Sequence, residues 1–82
     1  MHTIKWVTQK EAADYFRLSE RSLIRLRRSG TLPPGRCWVR KIPTNLNSHV
    51  IYDVVACEYA LSAATTAAAL EQDHLVDRML EN

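Results

Sequence analysis

Residues 19–30, with Ser19 at one end and Gly30 at the other, constrain this chain more than any other stretch. Both ends of a short helix are marked within them. Ser19 suits an N-cap, where its hydroxyl accepts a backbone N–H of the first turn. Gly30 falls where a helix closes in the left-handed conformation, and Pro33-Pro34 keeps it from resuming. Leu18, Leu23 and Leu26 give an apolar stripe at helical spacing. Arg21, Arg25 and Arg28 give a basic stripe beside it. With Arg27, four arginines fall within eight positions, a concentration of like charge that calls for a polyanion opposite.

The residues before this helix supply a partner. Thr8-Gln9-Lys10-Glu11 fits a capping box, and the helix it opens is predicted to run from about Gln9 to Phe16. Ala12, Ala13, Tyr15 and Phe16 form its predicted inner surface, the two alanines letting a second helix approach closely. The turn Arg17-Leu18-Ser19 is as short as a helix-turn-helix requires. The residues after it supply a hairpin. Thr31–Gly35 reads as a rigid turn anchored by Leu32. Arg36–Ile42 reads as a strand, Pro43–Ser48 as turn chemistry, and His49–Tyr52 as the returning strand.

Asp53 is a good N-cap for the C-terminal segment, which holds no glycine or proline. One long Ala-rich helix fits, as do two with a break near Ser62–Thr66. Val54, Leu61, Ala68 and Leu75 recur every seven residues, too few heptads for a coiled coil. The expected fold is therefore mostly α with a small β-hairpin. Residues 1–61 form a winged helix-turn-helix and 62–82 a helical extension, in which Leu75, Val76, Met79 and Leu80 are expected to mediate self-association.

At 82 residues this is one domain, near the lower limit for a self-sufficient core. Net charge is only +2, yet residues 1–41 hold ten of the eleven Lys/Arg and three of the nine acids. That asymmetry favours a nucleic-acid face in the front half. No apolar run reaches transmembrane length and the start has no signal-peptide core, so a cytoplasmic protein is expected. Cys37 and Cys57 are not in a CxxC and, in a reducing cytosol, are expected to be free and at least partly buried; with His49 they lack the paired spacing of a zinc site. His2, His49 and His74 stand isolated, and Gly30 and Gly35 make no phosphate loop. No enzyme, cofactor, metal or small-molecule substrate is expected.

The run from Val7 to Leu61 resembles the small winged-helix domains of the excisionase and MerR-like group. The likeness rests on Gln9–Ala13, Leu18-Ser19-Glu20-Arg21-Ser22-Leu23, Gly30-Thr31-Leu32-Pro33, the wing from Trp38 to Tyr52, and Asp53 onward. It covers about two-thirds of the chain and does not extend to the Ala-rich tail. The resemblance implies that the helix starting at Glu20 enters the major groove of double-stranded DNA while the wing touches the minor groove or backbone. Arg21, Ser22 and Arg25 would read base edges, arginine forking onto guanine O6 and N7. Arg27, Arg28, Arg36, Arg40 and Lys41 would clamp phosphates, and the amides of Thr8 and Gln9 would hold another. Asn45 and Asn47 fit either minor-groove contact or turn geometry, and Trp38 fits either a sugar or base contact or the core.

The implied role is that of an excisionase of a phage or mobile element, bending or coating DNA near attachment sites, with an integrase as partner. A phage transcriptional regulator, or a protein-interaction and packaging module such as a terminase small subunit, are the alternatives. The chain departs from the MerR activators in lacking a long antiparallel coiled coil and a terminal effector-binding segment, so effector sensing is not carried over.

Overall fold

A computed structural model describes the backbone of residues 5–80 and the side chains as far as residue 72. The elements are β1 (Trp6–Thr8), α1 (Gln9–Phe16), α2 (Glu20–Arg28), β2 (Trp38–Arg40), β3 (Val50–Asp53) and α3 (Val54–Leu80). The architecture is a winged helix-turn-helix, mostly helical. The sheet is larger than the expected hairpin, with three antiparallel strands in the order β1-β3-β2. Val7 and Trp38 flank Tyr52 from either side. β1 escapes a reading of the sequence because three residues are too few to show a period of two, and they run straight into the capping box.

The capping box of α1 is complete: the Glu11 N–H donates to Thr8 Oγ1 at 3.2 Å, and the Thr8 N–H to Glu11 Oε1 at 3.0 Å. The Thr8 N–H first, and its hydroxyl second, hold the Glu11 carboxyl below its usual range. α1 closes on Arg17, which takes the left-handed conformation with φ 57° although it is not glycine. Its N–H donates to Asp14 O at 3.1 Å and that of Leu18 to Ala13 O at 2.9 Å, satisfying the last carbonyls as a Schellman turn does. Ser19 caps α2 by accepting the Ser22 N–H at 3.1 Å. Gly30, at φ 85°, closes α2 with its N–H on Arg27 O at 3.3 Å.

The core gathers where α1, α2, the sheet and the start of α3 meet. Ala12, Ala13, Leu23, Leu32, Cys37, Val50, Tyr52 and Cys57 are buried, with Phe16, Leu26, Trp38 and Leu61 packed around them. Tyr15, expected in this core, is instead 56% exposed. It stands edge-on to Phe16 and its hydroxyl donates to Glu58 of α3, so a polar partner at the surface holds it out. Only Trp38–Arg40 of the predicted Arg36–Ile42 run is strand. The Cys37 N–H turns back to Pro33 O at 3.0 Å, and Ile42 is already in the loop. The returning strand is shifted one residue, to Val50–Asp53.

Asp53 ends β3 and caps α3 at once: its Oδ1 accepts the N–H groups of Val55 and Ala56 at 3.1 and 3.3 Å. α3 is a single helix. Thr65, at the candidate break, returns its hydroxyl to Leu61 O at 2.8 Å, so the helix continues through it. Among the described residues, only its first two turns pack closely on the domain. Every residue from 62 to 72 is exposed, and the molecule measures 54 × 31 × 23 Å along its principal axes. Leu75, Val76, Met79 and Leu80, expected to mediate self-association, lie outside the residues whose side chains are described.

Cys37 and Cys57 are both free and buried, and the Cys57 Sγ donates to Cys37 O at 3.5 Å. Burial, with Cys37 adding to it, pushes the Cys57 thiol up to about 12, and burial also raises Cys37. Since the thiolate is the reacting form, neither thiol should be alkylated by iodoacetamide at about pH 8 until the protein unfolds. Mass spectrometry across a urea titration checks this, with both labels expected to appear together at the unfolding midpoint. Gly30→Ala adds a Cβ where only the backbone conformation objects, there being nothing within 4 Å. It should lower stability by about 1 kcal/mol in the same titration followed by circular dichroism.

Candidate nucleic-acid interface

α2 presents its charges on two faces. Arg21, Arg25 and Arg28 are exposed, and their four- and three-residue spacing aligns them along one side. Leu23 on the opposite side is fully buried and fixes the helix to the core. Ser22 is half-buried: its N–H donates to Ser19 Oγ, and its own Oγ accepts from the Ser19 hydroxyl at 3.0 Å. The Ser22 hydroxyl thus accepts from Ser19 and keeps its own proton to donate.

Arg27 turns away from the exposed stripe. Its Nη1 donates to the Tyr52 hydroxyl at 3.1 Å and to Gln9 Oε1 at 3.4 Å, and its guanidinium carbon lies 5.3 Å from the centre of the Trp38 ring. The Tyr52 hydroxyl in turn donates to Gln9 Oε1 at 3.2 Å, while Gln9 Nε2 donates to Glu20 Oε1 at 3.2 Å. Four side chains from α1, α2 and β3 thus close one polar network, with Trp38 of β2 as its apolar wall. Burial raises the Tyr52 hydroxyl, and the Arg27 charge works the other way, so the hydroxyl stays protonated and able to donate.

The wing is tied to the same cluster. Trp38 Nε1 donates to Leu32 O at 2.8 Å, which fixes the ring. Arg40 stacks over that ring at 5.6 Å and donates from Nη1 to Leu46 O at 3.0 Å. The loop after β2 is internally bonded: Lys41 N–H to His49 O, Ile42 N–H to Ser48 Oγ, and Asn47 N–H to Asn45 Oδ1, all at 2.9–3.0 Å. Between this wing and the starts of α1 and α2 lies an open groove of about 580 Å³. Lys10, Arg27, Arg40 and Lys41 line it against a single carboxylate, Glu20. A concave surface with that balance concentrates positive potential and attracts polyanions.

The sequence-predicted residues divide accordingly. Arg21, Arg25 and Arg28 are free on α2; Gln9, Arg40, Lys41 and Asn47 line the groove. Arg27 is spent on the internal network rather than standing free. Thr8 lines the groove too, but its N–H is held by Glu11. Arg36 lies elsewhere, beside Ala56 and Tyr59 on the α3 side, because the Gly35 turn, with φ 83°, carries it off the strand. Asn45 shapes its turn by accepting the Asn47 N–H. Trp38 serves the core as a half-buried wall. Lys10, which lies outside the predicted inner surface of α1, joins the groove, since the β1–β3 pairing brings the start of α1 beside the wing.

Among the described residues no cluster of three His, Cys, Asp or Glu side chains is placed to hold a metal ion, and no helix is long and apolar enough to cross a membrane.

Residues 6–45 match the family described as a helix-turn-helix domain. The match spans β1, both short helices, β2 and the start of the wing loop, leaving β3 and α3 outside it. No curated protein and no solved structure matches the chain. The match agrees with the helix-turn-helix that α1 and α2 form, and a helix-turn-helix suggests DNA binding.

Proposed function

We propose that this chain binds double-stranded DNA through α2 and the wing, as an architectural protein of a phage or mobile element, of excisionase type. DNA binding is carried by one observation: α2 exposes an arginine stripe and, through Glu20 and Arg27, also lines a groove with four cations and one carboxylate. In this reading Arg21, Ser22 and Arg25 meet base edges in the major groove. Arg28, Arg40, Lys41 and Lys10 neutralise phosphates, while the amides at the start of α1 sit close to the same strand. Arg27 acts as a positioning residue, and Arg36 takes no part.

The excisionase role is supported by the likeness of Leu18–Leu23, Gly30–Pro33 and the wing to that group. Several copies side by side would bend or coat DNA near attachment sites, and an integrase would then act on the deformed duplex. Self-association is supported by the exposed run 62–72 of α3, where Leu70 is 65% exposed. Leu75, Val76, Met79 and Leu80 extend the apolar content of that helix. A transcriptional regulator would use the same interface, and a packaging module would turn it to an acidic protein; no observation favours either.

Mobility shifts across a salt series test DNA binding. About four phosphate contacts give a log–log slope near −3.6. Failure to bind any duplex at low salt, or affinity indifferent to salt, overturns the proposal. Arg25→Ala should cost about 1–3 kcal/mol on the preferred site and relax preference at one base pair. Lys41→Ala should weaken all sequences alike and reduce the slope by about 1. Footprinting on the element's own ends separates the roles. Clustered sites that change excision support the excisionase, whereas a single operator at a promoter makes the chain a regulator.

A further inference from the structure

The wing ends in an apolar tip. Leu46 is 78% exposed and Ile42 54% exposed, although both sit in a loop surrounded by cations and amides. A flexible loop would fold such side chains back onto the nearest apolar surface. This loop is not free to do so. Its backbone is committed to itself, with the Asn45 N–H on Ile42 O and the Ser48 N–H on Asn45 O, both at 3.0 Å. Leu46 is held a second way, because its carbonyl accepts from Arg40, whose guanidinium lies over Trp38, whose indole is bonded to Leu32. Leu32 is fully buried. A chain of three contacts therefore runs from the core to the tip and fixes an apolar side chain facing outward.

We propose that Leu46, assisted by Ile42, is a wedge that the wing drives between two base pairs from the minor groove, unstacking them and kinking the duplex. The proposal rests on the DNA-binding reading above. Charge selects DNA over an apolar protein surface as the occupant. Arg40 and Lys41 line the same groove as Leu46, so whatever the leucine enters must also carry anions beside it. Leucine and isoleucine are among the side chains that can enter a base step, and the minor groove offers a floor of bases between two rows of phosphates. Asn47 N–H is turned inward to Asn45, which leaves the Asn47 amide as the polar group next to the wedge. The step entered should be a pyrimidine–purine step, the kind that unstacks at least cost.

The test uses the full chain and a duplex of about 30 base pairs that the wild type selects from a random-sequence pool, with a fluorophore at each end. At saturating protein, the wild type should shorten the end-to-end distance by an amount equal to a bend of about 20–90°. Leu46→Ser should saturate the same duplex, with the same salt slope, and lose at least half of that bend. Ile42→Ser should lose less. Leu46→Met, which keeps an apolar wedge of similar volume, should restore the kink. Circular dichroism melts check that each variant is folded, as expected for so exposed a position.

A wild type that binds without bending overturns the wedge and leaves DNA binding standing. So does a Leu46→Ser variant that bends as the wild type does, or a Leu46→Met variant no better than serine. A wild type that binds no duplex at low salt removes both readings together.

Discussion

The Arg27 guanidinium holds α2 and the wing in one frame. It is a charge drawn half inside, beside Trp38, where it loses hydration. Two hydrogen bonds, to Tyr52 and Gln9, and the face of the indole offset that loss. The geometry matters because the three partners come from different elements. Gln9 opens α1, Tyr52 lies in the central strand, and Trp38 belongs to the wing. The rotation of α2 about its axis, and so the direction in which Arg21 and Arg25 point, is set by a residue on the same helix that reaches the other way.

This arrangement explains which features were legible in the sequence. Both short helices were, because their boundaries are local chemistry: Thr8 with Glu11, Ser19 with Ser22, and Gly30 after the last turn. The anchoring of Leu32 followed from an apolar residue set in a rigid turn, and the free, buried cysteines from their spacing and an expected reducing compartment. The inward turn of Arg27 was not legible. Arg25, Arg27 and Arg28 are alike as letters, and only the position of Tyr52, some 25 residues later in the chain, decides that Arg27 turns inward. Arg36 and Arg40 were read as one strand run, but the left-handed Gly35 and the short β2 send them to different sides. Tyr15 and Tyr52 make the same point for the core. One finds Glu58 at the surface and stays out, while the other finds Arg27 and Gln9 and is fully buried.

The added strand β1 has an effect beyond its three residues. By pairing with β3 it pins the start of α1 against the wing and makes one groove of surfaces that the sequence places some 30 residues apart. The charge asymmetry of the chain then becomes a spatial one. Lys10 contributes to the same field as Arg40 and Lys41, although nothing in its own neighbourhood marks it out. The family match ends inside the wing loop, so β3, which completes both the groove and the brace, lies outside the matched segment.

α3 begins as part of a folded core and continues as something physically different. Its first two turns are locked by Asp53, Cys57 and Leu61, so the costly nucleus of a helix already exists. Beyond Leu61, each residue through 72 adds one hydrogen bond and stays exposed. Alanine makes that addition close to neutral in free energy. The exposed run is thus a seeded helix–coil system grafted onto a cooperative domain. Helix–coil physics predicts that such a run loses helix residue by residue on heating, where the core melts as one unit.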